Sequence, residues 1–353
     1  MLLLLLLLFI LLIMAILKVF SHIVFLIQFI FLIIPIILTV ALFTLLERKI
    51  LASIQRRRGP NVVGRWGLLQ PFADAFKLIF NETIVPGVAN TYLFLIVPVI
   101  TFLCSYVNWA LMPFDYGVVL VDINLGLMSI FVFSSLGVYG VILSGWASNS
   151  KYALLGGIRS TAQMIAYEVS LGLIIMMVVV ITGTINLTGV VLFQENLWFM
   201  FFFFPVFLLF FIIALAETNR VPFDLPEAES ELVSGYNVEY SAITFALFFL
   251  AEYSSILIMS FLMAIFFLGG WLGPIFPGYF WMTLKVCCFV FLFVLIRGTV
   301  PRYRYDQLML LGWKVILPIV LCLYFLIVIV FYFFSYFMIT DLVIITDYLD
   351  ILV

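Results

Sequence analysis

The run from Ser241 to Phe267, SAITFALFFLAEYSSILIMSFLMAIFF, contains one charged residue, Glu252. It exceeds the roughly 20 apolar residues that a helix needs to cross a bilayer. Because it is apolar all round, lipid or other apolar helices must surround it. Comparable runs occupy 23–46, 91–112, 124–147, 161–182, 198–217, 281–297 and 315–340. Each must be helical, since the hydrocarbon core offers no water to backbone N–H and C=O groups. A membrane barrel is excluded because the runs are continuous and lack the two-residue alternation of its strands. The reading is an all-α polytopic membrane protein, a bundle of eight transmembrane helices.

Composition agrees with that reading. Of 353 residues 67% are apolar and only 10% charged, against roughly 45–50% and about 25% in soluble domains. This excludes a soluble enzyme, and the high hydrophobicity excludes a disordered chain. Cys104, Cys287, Cys288 and Cys322 all sit in apolar stretches with no C-x-x-C spacing, and His22 is the single histidine. The cysteines therefore read as small buried hydrophobes, and no Fe–S cluster, haem or other metal is expected on this chain. Any electron carriers belong to other chains.

Met1 to Leu17 is almost pure Leu and Ile, followed by Lys18, Ser21 and His22. It is short for a span and lacks the basic start and cleavage site of a signal peptide. Residues 1–22 are read as an apolar extension, either an extra N-terminal helix or a prolonged first one. The eight-helix domain then covers 23–340, and 341–353 is a short acidic tail.

Orientation follows from the loop cations. The loop after the first span holds Arg48, Lys49, Arg56, Arg57, Arg58, Arg65 and Lys77. Alternate loops add Lys151, Arg159, Arg220, Arg297, Arg302, Arg304 and Lys314, so fourteen of sixteen cations share one side. That side is cytoplasm or mitochondrial matrix. The absence of an Arg- and Ser-rich presequence, with the Phe- and Leu-saturated composition, points to a chain made inside the organelle and equally permits a bacterial inner membrane.

Chemistry concentrates on the basic side. In the first inside loop Leu68, Leu69, Phe72, Phe76, Ile79 and Phe80 fall on one helical face, which predicts a short amphipathic helix lying in the interface. It reads as a surface anchor or as the roof over an opening for an amphipathic molecule. The third inside loop, ALAETNRVPFDLPEAESELVSGYNVEY, places Glu217, Asp224, Glu227, Glu229, Glu231 and Glu239 around one cation, Arg220. Interleaved apolar residues predict that it packs, and crowded, partly buried carboxylates titrate as a coupled group able to pass protons. Glu168 and Glu252 lie within spans, where a charge costs about 2.5–3.5 kcal/mol by insertion scales; each reads as a functional candidate or as a protonated Glu hydrogen-bonded across helices. Lys285 is near an outer helix end and is expected to snorkel. Arg297, at an inner helix end, reads as a positive-inside anchor or as counter-charge to an acidic cavity.

ERK at 47–49, GPNVVG at 59–64, GLLQPFADAFKL at 67–78, AYEVSLG at 166–172, the segment 216–240 and PRYRYDQLM at 301–309 together resemble the NADH–ubiquinone oxidoreductase chain 1 family, a membrane-arm subunit of respiratory complex I. The Leu-rich start lies beyond the usual family start. The resemblance implies eight helices forming the membrane side of a ubiquinone tunnel, with ubiquinone as substrate and reduction occurring next to an iron–sulfur cluster on a peripheral subunit. It implies quinone-side roles for Glu47, Arg48, Asp74, Lys77, Arg220 and Arg297. It also implies a proton relay through Glu168, Glu217, Asp224, Glu227, Glu229, Glu231, Glu239 and Glu252. The implied partners are peripheral-arm quinone-site subunits, neighbouring membrane-arm subunits and lipids, with no nucleic acid; the implied location is the mitochondrial inner membrane.

Three other readings compete. A cation/proton secondary transporter predicts an internal repeat with matched broken helices, and the ETNR and GPN segments have no second copy. A purely structural anchor leaves Glu168 and Glu252 at membrane depth unexplained. The membrane anchor subunit of a related hydrogenase shares much of the pattern, and bound quinone would distinguish the two.

Overall fold

A computed structural model describes the backbone of residues 2–224 and 235–333, and the side chains of 24–224 and 235–333. The described residues form helices joined by loops. α1 spans Leu2–Ile54 and α2 Gln70–Phe80; α3 (Thr91–Val107), α4 (Gly126–Ala147) and α5 (Lys151–Thr182) follow. α6 (Leu187–Phe193) and α7 (Phe199–Phe202) are short, and α8 is Phe204–Glu217. α9 (Ala242–Phe267) and α10 (Gly278–Thr299) are long, and α11 runs over Tyr305–Phe333 with a π-helical stretch at Leu311–Ile316. Seven of these helices are long and apolar enough to cross a membrane, and α8 is a shorter apolar one.

Eight apolar helices therefore match the eight runs, with one difference. The run at 198–217 is not one span: the chain leaves helical geometry at Phe203 (φ −113°, ψ 40°) and restarts with Pro205 in the first turn of α8. Proline lacks an N–H, so it is best tolerated where a helix begins. The remaining 14 residues rise only about 21 Å, which leaves the Glu217 end inside the protein. At the other terminus, residues 2–22 continue α1 without a break, so the first helix is prolonged rather than preceded by a separate one. The last residues of the eighth run and the tail at 341–353 lie outside the described residues.

Local chemistry sets the element ends. The Ser150 hydroxyl accepts the Ala153 N–H at the start of α5, and Gly183 in left-handed geometry (φ 66°) ends it. α9 forms the centre of the core, with Met263, Ala264, Ile265 and Phe266 fully inaccessible. Phe210 and Phe207 of α8 meet Phe266 and Phe267 edge-on at 5.8 and 5.5 Å. α3 packs against α4 and α9, α4 against α5, and α5 against α8. Phe31, Leu136 and Phe325 are exposed on the outside of the bundle, the surface that hydrocarbon covers.

Two expectations fail. Cys287, Cys288 and Cys322 are exposed on the bundle surface and Cys104 is half-buried; a thiol is apolar enough to face lipid, so burial is not required. Lys285 does not snorkel to water. It is buried, and its Nζ donates to the carbonyls of Leu268, Gly270 and Leu272 at 2.6, 2.8 and 2.7 Å. Three donors thus meet three carbonyls just beyond the C-terminal end of α9, where a helix dipole favours a cation. Trp198 covers the ammonium at 4.6 Å.

One close approach of backbones bears on the acidic loop. A Cβ on Gly156 of α5 would lie 2.7 Å from the Gly235 Cα, so α5 and the return limb of the acidic loop touch main chain to main chain. Gly156→Val is expected to separate them and to reduce the yield of folded protein extracted in detergent by more than half, whereas Gly172→Ala, in open space, leaves it unchanged.

Candidate functional site

The halves of α1, α9 and α10 nearer the cation-rich loops bring three predicted residues to one point, and the turn after α8 adds a fourth. Glu47, 5% exposed, is the hub. One carboxylate oxygen accepts from Arg297 of α10 and lies 3.7 Å from Arg220; the other accepts the Tyr253 hydroxyl at 2.5 Å. Arg220 in turn places its Nε 2.9 Å from Glu252 and its guanidinium over the Tyr253 ring at 4.3 Å. Two carboxylates and two guanidiniums therefore balance in charge, the condition under which buried ions are tolerated. Arg297 is the more open of the two arginines, its side chain 27% exposed against 7% for Arg220.

A tight turn delivers Arg220 to this cluster. Its N–H donates to the Leu215 carbonyl, its carbonyl accepts from Phe223, and Asn219 takes left-handed geometry (φ 50°) between them. Asparagine is among the few residues that adopt this conformation at small cost. Gln163 of α5 anchors the turn, its side-chain amide donating to the carbonyls of Ala216 and Phe223 at 2.8 and 2.9 Å. Phe223 stacks on Tyr303, whose N–H donates to the Pro222 carbonyl, and Tyr167 donates to Leu308 at 3.1 Å. The last inside loop thus closes over the turn, and Arg302 reaches the buried Asp224 at 3.4 Å.

A second group lies beside it. Glu168 is half-buried on α5 and close enough to Glu217, the last residue of α8, for the two carboxylates to act on each other electrostatically. One Glu217 oxygen has no hydrogen-bond partner among the described residues. Glu217, Asn219 and Glu252 all face a cavity of about 150 Å³ bounded by α3, α4, α5 and α9.

The third group is peripheral. Arg48 of α1 binds Asp74 of α2 at 2.7 Å, and Gln70 donates to the other Asp74 oxygen at 2.9 Å. Lys49 donates to the Trp66 carbonyl at 2.5 Å. These contacts fold the first inside loop back and hold α2 with Phe72, Phe76, Ile79 and Phe80 exposed, as an interfacial helix requires. Lys77 is exposed on α2, and Glu239 is half-buried on the return limb of the acidic loop. Glu227, Glu229 and Glu231 lie outside the described residues.

A family model described as NADH dehydrogenase matches residues 27–329. The chain belongs to the NADH dehydrogenase family. It is 57% identical over 294 residues to NADH-ubiquinone oxidoreductase chain 1 of Arabidopsis thaliana, covering 81% of this chain and 90% of that relative. To a NADH-quinone oxidoreductase subunit of Paramagnetospirillum magneticum it is 54% identical over 306 residues, covering 85% and 90%. The chain 1 of Chondrus crispus is 54% identical over 310 residues, covering 86% and 95%. Relatives therefore occur in both eukaryotes and bacteria.

Two residues of the site escape a reading based on charge. Tyr253 and Gln163 carry none, yet one orients the hub carboxylate and the other the turn that bears Arg220. Gln163 was detectable as an amide inside an apolar run, sharing a helical face with Tyr167 four residues on. Arg220 lies between Glu47 and Glu252 and so connects the two groups in space. Removing that link leaves uncompensated buried charge, which costs about 3–5 kcal/mol. Arg220→Gln is therefore expected to lower the half-inactivation temperature of the purified complex sharply. Arg304→Gln, from the exposed pair with Asp306, shifts it by under about 1 kcal/mol equivalent.

Proposed function

We propose that the chain is the membrane subunit of a proton-translocating NADH:quinone oxidoreductase, and that it couples quinone reduction to charge movement in the membrane. Arg220, shared between Glu47 and Glu252, is the observation that carries this reading. It joins the inner-surface group to a carboxylate at membrane depth. The names of the relatives support the reaction class.

In this reading the quinone is substrate, and NADH and the metal centres belong to partner chains of a peripheral arm. Reduction of a quinone to a quinol takes up two electrons and two protons, so negative charge and proton demand arise together. Arg297, Arg48 and Lys77 are the cations that face it; Asp74 and α2 form the rim through which an amphipathic molecule passes from the lipid. Negative charge near Arg297 weakens its hold on Glu47, and Glu47 then draws Arg220 away from Glu252. A carboxylate relieved of its counter-ion in a low-dielectric setting gains affinity for a proton. Glu217 and Glu168 continue the relay, together with Asp224, Glu227, Glu229, Glu231 and Glu239 of the loop. The location proposed is the inner membrane of a mitochondrion, with the gene in the organelle, or that of a bacterium. Neighbouring membrane-arm subunits and lipids cover the exposed apolar faces.

Glu168→Gln is expected to leave NADH:quinone reduction largely intact in the presence of an uncoupler and to abolish NADH-driven acidification of vesicles. Undiminished acidification sinks the relay. Arg297→Ala should raise the KM for a short-chain quinone about tenfold, equivalent to ~1.4 kcal/mol, and change inhibitor sensitivity. Unchanged quinone kinetics would remove Arg297 from the quinone side.

A further inference from the structure

Lys285 takes no part in the relay proposed above, yet a site is built around it. The chain leaving α9 turns through Gly269 and Gly270, both left-handed (φ 66° and 50°), and so presents the carbonyls of Leu268, Gly270 and Leu272 to one ammonium. The turn leaves no room for side chains. A Cβ on Gly269 would lie 3.0 Å from the Trp198 indole, and one on Gly270 2.8 Å from Val191. Gln194 braces the same turn, donating to the Ile265 carbonyl at 2.8 Å and accepting the Gly269 N–H at 3.0 Å. Three acceptors thus meet a group with three hydrogens. A well-packed apolar side chain would fill this place without the cost of desolvating an ion, so stability alone does not call for the lysine.

α10 has a use for such a fixed point. Its inward side carries Lys285, Phe289, Phe293 and Arg297 at four-residue steps. Phe289 meets Phe207 of α8 at 6.0 Å and Phe293 meets Phe211 at 5.3 Å, so the two helices match phenylalanine to phenylalanine at the same spacing. A ladder of identical rungs has no preferred step. If α10 slid by one rung, about 6 Å, Phe293 would face Phe207 and much of the apolar contact would survive. Arg297 would then leave hydrogen-bond reach of Glu47. The opposite face of α10, with Leu284, Phe291 and Leu292, is exposed, and lipid tails grip no particular position. A buried polar group, by contrast, singles out one alignment among apolar alternatives.

We propose that Lys285 is a positioning residue for the quinone-side chemistry: seated in its three-carbonyl claw, it fixes α10 against α9 and so places Arg297, 12 residues or about 18 Å further along the helix, against Glu47. Since α9 carries Tyr253 and Glu252, the claw aligns the two helices whose other halves meet in the ion cluster. The phenylalanine rungs between fill space and keep the helices parallel, and the two ions at either end of the row set the step.

The proposal rests on the reading of Arg297 as the quinone-side cation, and the test keeps the two apart. In the purified complex, Lys285→Met is expected to raise the KM for a short-chain quinone several-fold while kcat stays within about twofold of the parent. In an Arg297→Ala background the same change should alter KM by less than about 1.5-fold, because a residue that acts through Arg297 has nothing left to place. Leu51→Cys with Gly298→Cys reports the alignment directly, since a Cβ on Gly298 would lie 3.2 Å from the Leu51 side chain. With the native cysteines changed to Ala, a short bis-methanethiosulfonate should link this pair several times faster in the parent than in Lys285→Met. The link, once made, should return the KM of Lys285→Met toward the parent value. Should Lys285→Met fail to assemble, Gly270→Ala, which disturbs one carbonyl of the claw, takes its place in every comparison. Effects on KM that multiply in the double variant, or equal linking rates in the parent and Lys285→Met, overturn the proposal. If Arg297→Ala leaves the quinone KM unchanged, the functional reading fails instead, and the linking rate alone decides whether Lys285 sets the position of α10.

Discussion

A charge in a low-dielectric interior must find its opposite, and that constraint organises this molecule. Four ionised groups from four parts of the chain, Glu47, Arg220, Glu252 and Arg297, neutralise one another at the inner end of the bundle. The remainder of the architecture can be understood as what brings them there. α8 is cut short so that its C-terminal turn ends within the protein. Asn219 accepts a left-handed backbone so that Arg220 points back toward α9, and Gln163 holds the carbonyls of that turn. The last inside loop then closes over it through the Phe223 and Tyr303 rings.

Such an arrangement is responsive because it has no spare charge. Each guanidinium is shared or adjacent to a carboxylate, so moving one ion changes the balance at all the others. Within the cluster Arg297 is the more open guanidinium, and the carboxylate it holds is Glu47. Arg220 is placed between Glu47 and Glu252, so the proposed coupling can pass from one carboxylate to the other through a single side chain.

Much of this was readable beforehand, and the reason differs between parts. Helix number follows from hydrophobic length, a quantity averaged over many residues and insensitive to packing detail. The candidate residues were recognisable because charge is rare in an apolar chain, so Glu168 and Glu252 stood out. What escaped depends on side-chain direction. Nothing in the spacing of Glu47 and Tyr253, 206 positions apart, says that they meet. The snorkelling expected of Lys285 failed because backbone carbonyls at the end of α9 were nearer than water. The break at Phe203 was hidden inside a run whose hydrophobicity never falters.

The unusual length of α1 carries a separate consequence. Its 53 residues extend about 80 Å, far beyond the ~30 Å of hydrocarbon available, and its apolar character continues well past what one crossing requires. Hydrophobic matching therefore cannot fix its depth: the helix could slide by several turns with little change in how much lipid it touches. Polar contacts at its inner end have to set the vertical register instead. Glu47 locked to Arg297 and Tyr253, with Arg48 locked to Asp74 one residue later, acts as a depth stop. The same ion pairs that join the inner surface to the membrane interior also determine how far the first helix is threaded through it.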